Sequence, residues 1–164
     1  MDSKTSNRKS VHPRLQQAVT AMRERRYEEA LATLKQITSD EPDHEVALGM
    51  LASAYAELGM RDRARQLFDE ILKVNPGNPL ARFQRGLMDF EDGRLESALE
   101  LWRPLLADEN DYMGHFHSAL ALMQLKQPTK ARDLLVTAKE RTPSNHPLAS
   151  EATRLIRQLD NADP

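Results

Sequence analysis

Residues 45–78 read EVALGMLASAYAELGMRDRARQLFDEILKVNPGN, and their pattern decides the fold. Leu48, Leu51, Ala52 and Tyr55 recur at helical spacing, and so do Ala64, Phe68 and Ile71. Gly59 stands just past the first apolar run, where a left-handed residue ends a helix at no steric cost. Asn75-Pro76-Gly77-Asn78-Pro79 then stops the second run and opens a third. Pro76 cannot continue a helix, whereas Pro79 suits a first turn, where a missing N–H is no loss. The stretch is one helical hairpin.

The hairpin recurs along the chain. One slot holds Ala18, Ala52, Gly86 and Ala119, and a second holds Ala30, Ala64, Ala98 and Ala131. Leu34, Phe68, Trp102 and Leu135 fill a third, and Ile37, Ile71, Leu105 and Ala138 a fourth. Pro42, Pro76, Asn110 and Pro143 close the units. Most neighbouring members stand 34, 34 and 33 residues apart, and such a period is the mark of a stacked helical array. On these slots the chain resembles the tetratricopeptide repeat family over residues 11–145. The resemblance implies an all-α, right-handed solenoid of four hairpins, at 11–44, 45–78, 79–111 and 112–145, with a capping helix at 146–160. Residues 1–10 and 161–164 are then polar tails. As to function, the resemblance implies binding of another protein.

In such an array each hairpin buries its apolar face against its neighbours, and the alanine-rich, aromatic-poor composition suits thin, closely packed helices. A formal net charge of −2 argues against general nucleic-acid binding, which needs a basic field. Arg61, Arg63 and Arg65 alternate with Asp62, Asp69 and Glu70 in the manner of a solvated helix face. The chain has no cysteine, hence no disulfide framework and no thiolate metal site. MDSKTSNRKS lacks the apolar core of a signal peptide, and no later run is long enough to span a membrane. The expectation is a cytoplasmic protein without membrane insertion.

Four local departures from the pattern carry expectations of their own. Arg25 stands where the second hairpin has Gly59, so its turn is expected to differ. Arg14 and Gln17 replace apolar residues of the first hairpin, which suits a wetter terminal unit. The third hairpin keeps Gly86 and Gly93, is one residue short, and has Pro104 inside its second helix. That proline predicts a kink or an early helix end near Arg103. Asp108-Glu109-Asn110-Asp111 lacks calcium-loop spacing and reads as a solvated loop. Pro128 opens the second helix of the fourth hairpin, and Pro147 a last helix with Leu148, Ala152, Leu155, Ile156 and Leu159 on one face.

No catalytic motif is present: no Gly-rich phosphate loop, no nucleophile elbow, no His-Glu-x-x-His. The expectation is a protein that is not an enzyme, with no cofactor and no metal. His115 and His117 are two apart on a helix and point to different sides, and His12, His44 and His146 lie at helix starts or turns, where capping is the expected role.

The resemblance places partner binding on a groove lined by the first helix of each hairpin. Its rungs are Leu15, Val19 and Met22 with His12 and Arg23; Val46, Gly49, Ser53, Ala56 and Glu57; Leu80, Phe83, Leu87, Phe90 and Glu91; and Met113, Phe116, Leu120, Met123 and Gln124. The family's clamp for the carboxylate tails of heat-shock chaperones needs lysine, asparagine and arginine. At the matching positions this chain has Leu15, Val19, Met50, Leu80 and Gln84, or, one hairpin on, Gly49, Ser53, Gln84, Met113 and His117. Neither set neutralises a dicarboxylate, so that reading is rejected. The apolar groove suits a partner protein or peptide with an apolar or amphipathic segment, anchored on Phe83, Leu87, Phe90 and Phe116. Small Gly49 and Ser53 leave room between the rungs for a bulky side chain, and Met113 and Met123 add an adaptable surface. On this reading Phe83→Glu with Phe116→Glu abolishes partner capture and leaves helicity nearly unchanged. The alternatives are a self-assembling scaffold, a homo-oligomer whose groove is filled by another copy, and a regulatory fragment of a larger enzyme.

Overall fold

The computed structural model describes residues 13–108 and 110–162, and these are all helix and turn. In chain order the helices are α1 (Pro13–Arg23), α2 (Tyr27–Asp40), α3 (Glu45–Glu57), α4 (Arg61–Val74), α5 (Pro79–Glu91), α6 (Leu95–Trp102), α7 (Tyr112–Gln124), α8 (Pro128–Arg141) and α9 (Pro147–Ala162). A 3₁₀ turn, Arg103–Ala107, follows α6. The helices divide into two compact units, one ending at Val74 and one beginning at Asn75.

The first unit holds the hairpins α1–α2 and α3–α4. Ala18, Ala21, Ala30, Leu34, Ile37, Ala47, Leu51 and Ala54 form its core, with Leu15, Met22, Met50 and Tyr55 packed against it. Five of these core residues are alanine, and a bare methyl lets helix backbones approach closely. His44 caps α3, its Nδ1 accepting from the Ala47 N–H at 3.2 Å, which is the capping role expected of it. Arg14 meets Asp40 at 2.7 Å and Gln17 is exposed, giving the terminal helix its wetter outer face.

The second unit holds α5–α6, α7–α8 and α9. Asn78 caps α5, its Oδ1 accepting from the Ala81 N–H at 2.7 Å, and Pro79 occupies the first turn. Asp111 does the same for α7 through Gly114 N–H at 3.0 Å, so one residue of the acidic turn has a fixed task rather than a merely solvated one. The helix at Pro104 ends as expected. The Arg103 N–H still reaches Leu99 O, Pro104 has none to offer Glu100, and the chain tightens into the 3₁₀ turn. The last helix packs Leu148, Ala152 and Leu155 into a core with Phe116, Leu122 and Leu135.

The slots read from the repeat are the core. Each of Ala18, Ala52, Ala119, Ala30, Ala64, Ala98, Ala131, Leu34, Phe68, Trp102, Leu135, Ile37, Ile71, Leu105 and Ala138 is buried. Gly86 is buried too, for a steric reason: a Cβ there would stand 2.3 Å from Trp102 Nε1. The expectation of a different turn at Arg25 is corrected. Arg25 adopts φ 59 and Lys126 φ 56, beside Gly59 at 73 and Gly93 at 77. All four hairpins turn through one left-handed residue, and two of them do so without glycine.

Candidate functional site

First helices have two faces that sequence alone runs together. On α5, Leu80, Gln84, Leu87 and Glu91 fall on one line at spacings of four, three and four, while Phe83 and Phe90 lie well round the helix. The offset decides their environment. Phe83 and Phe90 flank the buried Trp102 of α6, with ring centroids at 6.2 and 5.9 Å, and both pack with Leu87 on the core of Ala98, Trp102, Leu105 and Ala121. Trp102 Nε1–H donates to Phe83 O at 3.1 Å, pinning the indole to α5.

The same rotation governs α7. Phe116, expected as a binding anchor, is 8 % exposed and packs in the core. Met113, Leu120 and Met123 are half-buried against that core. His117 lies within 5.1 Å of Phe83, 5.6 Å of Phe116 and 5.9 Å of Trp102, each contact edge-to-face. Its Nδ1 is 2.9 Å from Met113 O. A carbonyl only accepts, so Nδ1 carries the hydrogen. Burial lowers the His117 pKa below the ordinary imidazole value, against the pull of the Met113 carbonyl and the Asp111 carboxylate. His115 is buried, its Nδ1 2.8 Å from Asp111 O, and His146 Nδ1 accepts from the Leu148 N–H at 3.2 Å. His12 lies outside the described residues. Among the described residues no group of three or more histidine and carboxylate side chains is placed to hold a metal ion.

In the first unit Leu15, Val19 and Met22 are half-buried, Gly49 is buried, and Ser53 turns its hydroxyl back onto Gly49 O at 3.0 Å. Of the rung residues, Leu15, Val19, Met22, Gly49, Ser53, Phe83, Leu87, Phe90, Met113, Phe116, Leu120 and Met123 are buried or half-buried. Among the described residues the exposed large apolar side chains on first helices are two other members of those rungs, Val46 on α3 at 58 % and Leu80 on α5 at 40 %. They occupy the same slot, one period apart, in the first turn of each helix.

A buried carboxylate was not singled out from sequence at all. Asp89 of α5 is 1 % exposed. Its Oδ1 accepts from Arg85 and from Arg94 Nη2 at 2.5 Å, and its Oδ2 from Ser97 Oγ at 2.6 Å. Burial favours the neutral acid, but the bonds from Ser97, Arg94 and Arg85 prevail and lower the pKa to about 2. The network ties α5 to α6. In sequence, one aspartate among many charged residues gives no sign of it.

Residues 21–87 match the tetratricopeptide repeat family model. No curated protein matches the chain. Solved structures share its fold. The MamA 41-end structure from Desulfovibrio magneticus RS-1 is 22 % identical, the match covering 92 % of this chain and 94 % of that one at TM-score 0.68. MamA AMB-1 is 19 % identical over 92 % and 96 %, at TM-score 0.67. A further MamA crystal structure is 13 % identical over 88 % and 92 %, at TM-score 0.65. Among the described residues no helix is long and apolar enough to cross a membrane. Residues 21–87 thus carry the signature of the tetratricopeptide repeat family, a family of protein–protein interaction modules, and helical hairpins of the same kind continue on both sides of them.

Proposed function

We propose that the protein binds an apolar or amphipathic segment of a partner protein on its first helices, the first unit through the face that carries Val46 and the second through the face that carries Leu80. The observation that supports this is the exposure of those two side chains at one repeat slot, on helices whose other large apolar residues are at least half covered. Val46, Met50 and Ser53 make the face on α3. Leu80, Gln84 and Leu87 make that on α5, and Met113, His117 and Leu120 that on α7. No lysine or arginine stands among these residues, so an acidic tail finds no counter-charge. An apolar ridge with amide or hydroxyl groups beside it finds both kinds of contact.

Magnitudes favour several shallow anchors over one deep one. Covering a large apolar side chain is worth about 1.5–3 kcal/mol, association costs roughly 4–15 kcal/mol, and micromolar binding needs about −8 kcal/mol net. In the second unit Leu80 is already part-covered and supplies only a share, so the half-buried Leu87, Met113 and Leu120 must contribute at their exposed edges.

The test is Val46→Glu with Leu80→Glu, in place of a variant that charges the core residue Phe116. Both positions are exposed, so the circular dichroism spectrum is expected to stay that of wild type. A protein captured from native lysate by wild type and lost with the variant supports the reading. Equal capture by both proteins defeats it. Recovery of the chain's own copies alone, with a mass that doubles in solution, transfers the faces to self-assembly.

A further inference from the structure

His117 joins three helices through one ring. It touches Phe83 of α5, Trp102 of α6 and Phe116 of its own helix α7, and its Nδ1–H is held by Met113 O. Its other nitrogen is open. Among the described residues Ser118 Oγ is the one fully buried side-chain nitrogen or oxygen without a partner, so Nε2, which has no protein partner, reaches solvent. A proton from water therefore has a vacant lone pair to bind.

We propose that His117 is a proton-operated latch of the second unit: neutral, its ring closes α5 and α6 against α7, and protonated at Nε2 it swings out to water and uncovers Phe83. A neutral imidazole suits an aromatic nest, whereas an imidazolium needs hydration or a carboxylate. The rings of Phe83, Trp102 and Phe116 offer neither, and water reaches only the Nε2 edge. On α5, Arg85 and Asp89 bond each other and Arg82 donates to Pro76 O and Leu101 O, and just past its end Asp92 pairs with Arg94. Glu91 is exposed in the last turn, as are Glu96 and Glu100 on α6 and Arg103 beyond it. On α7, His115 is bonded to Asp111 O. The charge acting on the ring is the Asp111 carboxylate, and its Oδ1 is engaged in capping α7.

The direction follows from burial, which depresses the His117 pKa from an ordinary 6.5. Above that value both closed and open forms are neutral and the latch stays shut. As pH falls below it the open form takes the proton first, and the open fraction grows about tenfold per pH unit until the closed form titrates too. The uncovered Phe83 joins Leu80 on α5, so acid reshapes the proposed binding face. That bearing on binding rests on the reading above; the latch itself does not.

The experiment is therefore done without a partner, by NMR of the isotope-labelled full chain from pH 7.5 to 5.0. The His117 ring is expected to titrate with a midpoint below 6.5, and its cross-relaxation with the Phe83 ring to fade with the same midpoint. In His117→Phe the Phe83 signals are expected not to move over this range. Protonation of His117 with its Phe83 contact intact overturns the latch, and so does an absence of titration down to pH 5.0. Opening of Phe83 in His117→Phe overturns it as well, and should that variant not fold, the wild-type titration decides alone.

Discussion

Ser118 is fully buried on α7, and its hydroxyl meets no hydrogen-bond partner. Replacing a buried, unsatisfied donor by a hydrogen removes its desolvation cost, so Ser118→Ala is expected to stabilise by ~1 kcal/mol and raise the thermal midpoint by a few degrees. Asp89 is the opposite case, a buried polar group with every bond made. Asp89→Asn leaves Arg85 and Arg94 without their counter-charge and is expected to cost roughly 3 kcal/mol in urea unfolding. The acid dependence carries the same signature. A carboxyl at about 2 in the folded chain, against an ordinary 3.8, gives stability that is whole above pH 4 and is lost as pH falls towards 2. That loss amounts to roughly 2 kcal/mol in wild type and is expected to be missing from the Asn variant.

Arg25 and Lys126 make the same argument for whole elements. Each closes its hairpin in the left-handed region at φ 59 and 56, where an L side chain crowds its own carbonyl. Glycine relieves that crowding but frees the unfolded chain. Arg25→Gly and Lys126→Gly are therefore each expected to gain up to ~1 kcal/mol in denaturant unfolding, while Gly59→Ala loses about as much. The turns also mark how far residue type alone carries. Gly59 and Gly93 announce a left-handed residue, whereas arginine and lysine at that slot hide one, because the neighbouring helices impose a conformation their own preferences oppose. Pro104 was legible because a missing N–H is a local fact. The repeat slots were legible because close packing accepts only small or matching side chains at fixed intervals.

Function was harder to read at this scale for a related reason. Bulk in an apolar slot says that a side chain will be covered, and not by what. Phe116 is covered by its own chain, while the smaller Val46 and Leu80 are left outside. Telling them apart needs the rotation of each first helix against the next hairpin, a difference of roughly sixty degrees on the helical wheel. One register of apolar residues points both ways across that angle. The Asp89 network was hidden for the complementary reason: Arg85 is a turn away on the same helix, but Arg94 and Ser97 reach Asp89 only when α5 and α6 fold back on each other.

At the scale of the whole molecule, chains built from repeats hold together by neighbour contacts, and the loss of one part need not be the loss of all. The single indole of the chain supplies a way to see this. Trp102 lies in the second unit and is fully shielded from water, and the first unit has no tryptophan. Its emission is thus a lamp in one room of a two-room house, blue-shifted while that room stands and red-shifted once water enters. Heated together, ellipticity counts helix in both units and emission wavelength reports one. A shared midpoint would mean one cooperative transition. We expect instead an ellipticity loss that begins while the emission stays blue, since the first unit has two hairpins and the second has two with a covering helix. No label, mutation or tag is required: the protein carries a native dye on one side only.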